Sequence, residues 1–237
     1  MLQIKNLYVS VEEKPILNGI SLEIPQNQIH ILMGPNGAGK SSLAMALAGH
    51  PLYNFQFSNT NFQLDGKDMT ELTVDQKAKA GLFVSFQNPP AIPGVRLTNF
   101  LHLAKGGDFS SFYKLLKEKV KELKLTDEFL KRSLNEDFSG GEKKKIELLQ
   151  AMILQPKYII FDEIDTGLDV DALKLVAKKI NILKKTSGIL LITHALRLLK
   201  YLSFDKVWII KKGKIVANGG KELANKIEKD GYANINY

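Results

Sequence analysis

The segment Gly34-Pro35-Asn36-Gly37-Ala38-Gly39-Lys40-Ser41 fits the pattern G-x-x-x-x-G-K-[ST] at every fixed position. It follows an apolar run, Ile29-His30-Ile31-Leu32-Met33, and leads into a helix-forming stretch from about Lys40 to Ala48. Strand, glycine-rich turn and helix in that order imply an α/β core with the turn at the carboxyl edge of a sheet. Phosphate oxygens need several donors converging on one small volume. Glycines let backbone N–H groups turn inward, and the helix N-terminus adds its dipole. Gly34, Pro35, Asn36, Gly37, Ala38, Gly39, Lys40, Ser41 and Ser42 are therefore candidates for holding the phosphates of a nucleotide. Lys40 would supply a point charge to the β- and γ-phosphates, and the Ser41 hydroxyl suits Mg²⁺.

A second run, Tyr158-Ile159-Ile160-Phe161, ends in Asp162-Glu163. Ligands of open α/β sheets collect beyond the carboxyl ends of the strands, so both acids would face the phosphates. Asp162 would hold Mg²⁺ through water; Glu163 would act on the attacking water as base or orienter. His194 follows a third run, Gly188–Thr193, and could hydrogen-bond either a γ-phosphate oxygen or Glu163. Gln87 ends Leu82-Phe83-Val84-Ser85-Phe86 and is suited to sensing Mg²⁺ and water.

Ser139-Gly140-Gly141-Glu142 precedes a helix over Lys143–Leu154 that Pro156 closes. Ser139 with Glu142 makes a capping box, which accounts for the helix start. It does not account for two adjacent glycines in the first turn, each of which weakens a helix by about 1 kcal/mol relative to alanine. Bare glycines let a phosphate come close to the positive end of the helix. Since the chain already has one cradle, this second one implies a nucleotide supplied by a neighbouring molecule.

The remaining runs complete an organisation. Residues 2–11 and 20–25 alternate as strands, and Tyr158–Phe161 and Gly188–Thr193 are continuously apolar, as strands covered on both faces are. Residues 172–184 are patterned as a helix. Pro89-Pro90-Ala91-Ile92-Pro93-Gly94 is read as a break that neither strand nor helix continues. After it, Phe112, Leu115, Leu116, Val120 and Leu123 recur at helix spacing in a Lys/Glu-rich background. The expectation is one domain over 1–237. Residues 1–88 and 146–237 would form the nucleotide-binding core, and 89–145 an inserted helical subdomain.

Composition narrows the function. The 237 residues contain no cysteine, which excludes disulfides, thiolate metal sites and a cysteine nucleophile. No apolar run approaches the ~20 residues of a membrane helix, and no signal peptide is visible, so a soluble cytoplasmic protein is expected. The net charge of +8 arises late: from Asp171 onward there are 14 basic and 5 acidic residues. These lysines are dispersed and lack interleaved aromatics, so nucleic acid is not an expected partner.

Together, Gly34–Ser42, Gln87, Ser139–Glu142, Asp162-Glu163, Asp165–Asp169 and His194 resemble the ATPase domain of the ABC superfamily in order and spacing, across nearly the whole chain. The resemblance implies a P-loop NTPase fold: a parallel-rich sheet, N-terminal antiparallel strands and an inserted helical subdomain. It also implies ATP and Mg²⁺ as cofactors, with two ATPs sandwiched in a head-to-tail dimer. There Lys40, Gln87, Glu163 and His194 would be catalytic. Ser41, Gln87 and Asp162 would be Mg²⁺ ligands, Ser139–Glu142 would bind the partner's ATP, and Asp165 and Asp169 would lie in a dimer-contact loop. Within the superfamily the chain is most similar to the SufC branch, ATPases of the SUF iron–sulfur cluster assembly system. Met1–Val11, Phe86–Pro89 with Ile92–Val95, Phe138–Lys145, Asp162–Leu173 and Gly231-Tyr232 carry that likeness, which implies SufB- and SufD-like scaffold partners. Two departures stand out: Val11 occupies the place of an adenine-stacking aromatic, with Tyr8 offset from it, and Ala91 replaces a glutamate. The catalytic motifs are shared with the energising subunits of membrane transporters, which leaves that function as the alternative.

Overall fold

The computed structural model describes residues 1–55 and 61–232. Alternating burial folds Leu2–Val11 (β1) and Lys14–Ile24 (β2) into an antiparallel hairpin, with Ile4 opposite Leu22 and Val11 opposite Lys14. The second strand starts well before the expected residue 20. Pro15 is tolerated because β2 is an edge strand, where a missing N–H breaks no ladder. After Ile29–Met33 (β3) and Lys40–Ala48 (α1), the short strands Asn54–Phe55 (β4), Asn61–Leu64 (β5) and Lys67–Asp68 (β6) complete this sheet in the order β2-β1-β5-β6, with β4 also paired to β1.

The second sheet holds the site. Val74–Lys79 (α2) leads to Leu82–Ser85 (β7), Ile92–Arg96 (β8), Leu97–Lys105 (α3), Phe109–Glu122 (α4) and Ser133–Leu134 (β9). Gly140–Leu154 (α5), Tyr158–Asp162 (β10), Val170–Leu183 (α6), Gly188–Ile192 (β11) and Leu196–Leu199 (α7) follow. Lys206–Lys211 (β12), Lys214–Gly219 (β13) and Lys221–Asp230 (α8) close the described chain. The strand order is β13-β12-β3-β11-β10-β7, parallel throughout except for β13.

Successive strand residues face opposite layers, which is why these strands are apolar without interruption. Ile31, Ile159, Phe161, Ile189 and Leu191 pack towards α5, α6 and the helices after β8. Leu32, Ile160, Leu190 and Ile192 pack towards α1 and the first sheet. Leu97, Leu101, Phe112, Leu116, Val120 and Leu123 of α3, α4 and the turn after it belong to the first of these cores, so the inserted helices bury their stripe against α5.

Two local expectations change. Ile92–Arg96 is a strand despite Pro93, because it is exposed and pairs only with β9, in a register interrupted between Ile92 and Arg96. Helix α5 begins at Gly140, three residues early: the reciprocal Ser139–Glu142 box draws both glycines into the first turn. Among the described residues no helix is long and apolar enough to cross a membrane.

Candidate active site

Because β3, β11, β10 and β7 are parallel neighbours, everything that follows their carboxyl ends emerges along one edge. The glycine-rich turn follows β3, His194 lies beyond β11, Asp162 ends β10, and Gln87 lies two residues past β7. Residues scattered over 160 positions of sequence are thereby brought together.

The turn is built on close approach. A Cβ at Gly34 would stand 2.1 Å from the Ile210 carbonyl oxygen of β12, and Gly39 holds φ +105° with a Cβ position 2.8 Å from Leu17 Cδ2. Lys40 is only 5% exposed and donates to the Gly34 and Pro35 carbonyls, each at 2.9 Å, which holds its ammonium across the turn. Burial lowers its pKa, opposed by the carboxylates of Glu163 and Asp162. A cleft of about 870 Å³ opens over the turn, lined by Asn36, Gly37, Gly39, Lys40, Ser41 and Ser42 on one side. Gln87, Glu163, Thr166 and His194 line the other, and Ile16 of β2 completes it. Pro35 and the buried Ala38 shape the turn from outside this lining.

Asp162 is 1% exposed, and neither of its carboxyl oxygens has a partner that meets hydrogen-bond geometry. Burial raises its pKa; the nearby Ser41 hydroxyl, Lys144 and Lys40 pull the other way. A buried, unpaired carboxylate next to a hydroxyl is a hard-oxygen donor set that suits Mg²⁺, which takes one or two protein oxygens and fills its octahedron with phosphates and water.

Glu163 sits at φ +52°, its N–H bonded to the Ile192 carbonyl at 2.9 Å, so the backbone turns the side chain out of the sheet. Gln87 Nε2 donates to Glu163 Oε2 at 2.5 Å, Thr166 Oγ1 lies 3.4 Å from the same oxygen, and His194 Nε2 lies 3.4 Å from Oε1. Burial and the Lys40 charge lower the His194 pKa against the pull of Glu163. Behind them Thr193 donates to Asp165 at 2.8 Å and accepts the Ala195 N–H at 2.8 Å. Asp165 is thus turned inward, its pKa raised by burial. The loop offers Thr166, Gly167 and Asp169 outward, while Asp169 also caps α6 through the Ala172 N–H.

Ser139–Glu142 do not line this cleft. Ser139 and Gly140 are exposed, and a Cβ at Gly140 would meet nothing within 4 Å. Val11 and Tyr8 are also absent from the lining, and the apolar residue that reaches it is Ile16. Sequence reading missed Ile16, had Thr166 only as part of the Asp165–Asp169 dimer-contact loop, and missed a buried pair on α5, Lys144 and Glu147. Burial pushes Glu147 up to about 7 against the pull of Lys144, Ser85 and the Phe86 N–H. The signal was present: opposite charges three apart, in phase with Leu148 and Ala151 on the helix's buried side.

The family model described as ABC transporter matches residues 17–166. The chain is 46% identical over 240 residues to vegetative protein 296 of Bacillus subtilis (strain 168), covering 98% of this chain and 91% of that one. This chain belongs to the ABC transporter ATPase family. As a member it is an ATP-hydrolysing ABC cassette. Its fold matches the structure of an ATP-binding subunit of an ABC transporter at TM-score 0.80, with 24% identity and 99% and 95% of the two chains covered. It also matches a dimeric bacterial ABC transporter cassette at TM-score 0.79, with 19% identity and 93% and 98% covered.

Proposed function

We propose that this ABC ATPase hydrolyses MgATP in a head-to-tail dimer. Closure of that dimer would drive conformational change in SufB- and SufD-like scaffold subunits during iron–sulfur cluster assembly. The observation that carries the dimer is the split between the two phosphate-binding features: a cleft built on Lys40 and Glu163, and a helix N-terminus at Ser139-Gly140-Gly141 that lies outside that cleft. A second copy facing the opposite way would bring its α5 to the open side of the first copy's cleft.

In this reading the turn and Lys40 neutralise the phosphates, and Glu163 orients the attacking water and takes its proton, held in place by Gln87, Thr166 and His194. Mg²⁺, when bound, would add charge neutralisation at the phosphates, and Ser41, Gln87 and Asp162 would hold it. Phosphoryl transfer asks mainly for positioning and electrostatics, which are what these groups offer. Residues 89–145 are the unit that would carry motion to the scaffold. Iron and sulfide would bind on the scaffold, in keeping with the absence of cysteine from this chain. The SufC-like stretches around the motifs, Phe86–Pro89 and Phe138–Lys145 above all, support this branch.

The test has two arms. Glu163→Gln with ATP should elute as a dimer by light scattering, and the parent with ADP as a monomer; a Glu163→Gln protein that stays monomeric at saturating ATP would overturn the dimer. A pull-down from native lysate should recover scaffold subunits. The second reading, an energising subunit of a transporter, is favoured by the transporter cassettes among its structural neighbours. Recovery of a polytopic membrane protein would establish it instead.

A further inference from the structure

Strand β7 is the outermost strand of its sheet, paired only with β10, and its last paired residue is Ser85, opposite Phe161. Phe86 and Gln87 then leave the sheet with backbone groups that no strand satisfies. Helix α5 satisfies them with two charged side chains three residues apart. Glu147 Oε1 accepts the Phe86 N–H at 2.9 Å, and its Oε2 accepts the Ser85 hydroxyl at 2.9 Å. Lys144 Nζ donates to the Gln87 carbonyl at 2.8 Å, lies 3.4 Å from the Phe86 carbonyl and stands 3.9 Å from Glu147. Their side chains are 7% and 4% exposed.

A buried ion pair is a poor way to gain stability, because desolvation cancels most of the attraction and an apolar pair of equal volume does as well or better. What such a pair does supply is direction: fixed bonds at three consecutive residues, ending at the one whose side chain donates to Glu163. We propose that Glu147 and Lys144 are positioning residues that set Gln87 against Glu163. Through them the Gln87 segment is fastened to the same helix that begins at Ser139-Gly140-Gly141. Any displacement of the α5 N-terminus is then felt at the Gln87–Glu163 contact. This rests on the reading of Gln87 and Glu163 as parts of the hydrolytic site.

The experiment is a double-mutant cycle. Glu147→Gln should lower kcat at least tenfold with the KM for ATP changed less than twofold. In a Gln87→Ala background the same substitution should change kcat less than twofold, because the group it positions is gone. Ser85→Ala, which removes one hydrogen bond and leaves the charges, should give a smaller loss that likewise vanishes without Gln87, and it serves if Glu147→Gln fails to fold. Without turnover, the affinity for a fluorescent ATP analogue with Mg²⁺ should stay within twofold of the parent in Glu147→Gln, so that the loss falls on kcat and not on binding; a loss of affinity that matches the loss of kcat would overturn the positioning role. Losses that multiply across the cycle would overturn the proposal while leaving the site reading intact. A Gln87→Ala protein with parental kcat would overturn the role of Gln87 and this inference with it.

Discussion

At the scale of single residues, two glycines of one turn do different things. Gly34 lies against the backbone of β12, so the methyl of Gly34→Ala would have to displace the Ile210 carbonyl, which belongs to a core strand and not to a yielding side chain. Gly37 has φ +73° with nothing within 4 Å of a Cβ, so Gly37→Ala meets only the left-handed backbone cost of about 1–2 kcal/mol. Gly34→Ala should therefore lower the urea midpoint clearly more than Gly37→Ala; equal effects would mean that β12 yields. Lys40→Ala and Glu163→Gln should both abolish turnover for separate reasons. The first removes the charge in the phosphate turn and with it ATP affinity. The second keeps ATP, since it leaves Lys40 and the phosphate turn intact and replaces the carboxylate in the cleft by an amide of the same shape. Equilibrium binding and single-turnover assays separate the two.

At the scale of elements, helix α4 is tied to α6 by Glu122, which takes Lys119 from its own helix and the buried Lys179 from the other. Burial alone would raise the Glu122 pKa, but hydrogen bonds and charge from the two lysines outweigh it and bring the carboxyl down to about 2. The unfolded chain therefore binds this proton first on acidification. The stability it contributes, on the order of 2 kcal/mol, is present above about pH 4.5 and lost as pH falls towards 2. Glu122→Gln should cost stability at pH 6 and only about a quarter as much at pH 2.5, with the remainder lost as pH falls through 2, measured by denaturant midpoints. Helix α5 shows how far local pattern carries. Ser139 and Glu142 announce its start, and its first residue is accordingly Gly140, since a reciprocal box compensates for the poor propensity of the two glycines.

At the scale of the whole molecule, the site reading makes each cleft dependent on a second copy, and mixing inactive variants tests that. Lys40→Ala retains its α5 N-terminus, and Gly141→Arg retains its phosphate turn. Mixed, they should regain roughly a quarter of the parental rate, because random pairing makes half the dimers mixed, each with one intact cleft of two. No recovery at any ratio would place a finished site within one chain.

The phosphate turn, the acids after β10, the glycines of α5 and the parallel core were legible in sequence because each is a local rule: spacing, periodicity, or a residue type that only one backbone geometry rewards. Tertiary structure alone decided which strands became neighbours, and so which carboxyl ends share an edge. It also brought Ile16 rather than Val11 to the cleft, turned Asp165 inward onto Thr193, and buried Lys144 and Glu147 beside Gln87. The difference is physical: a turn is dictated by the dihedral angles of a few adjacent residues, whereas the partner of a buried charge is dictated by where the packing of two distant elements leaves room for it.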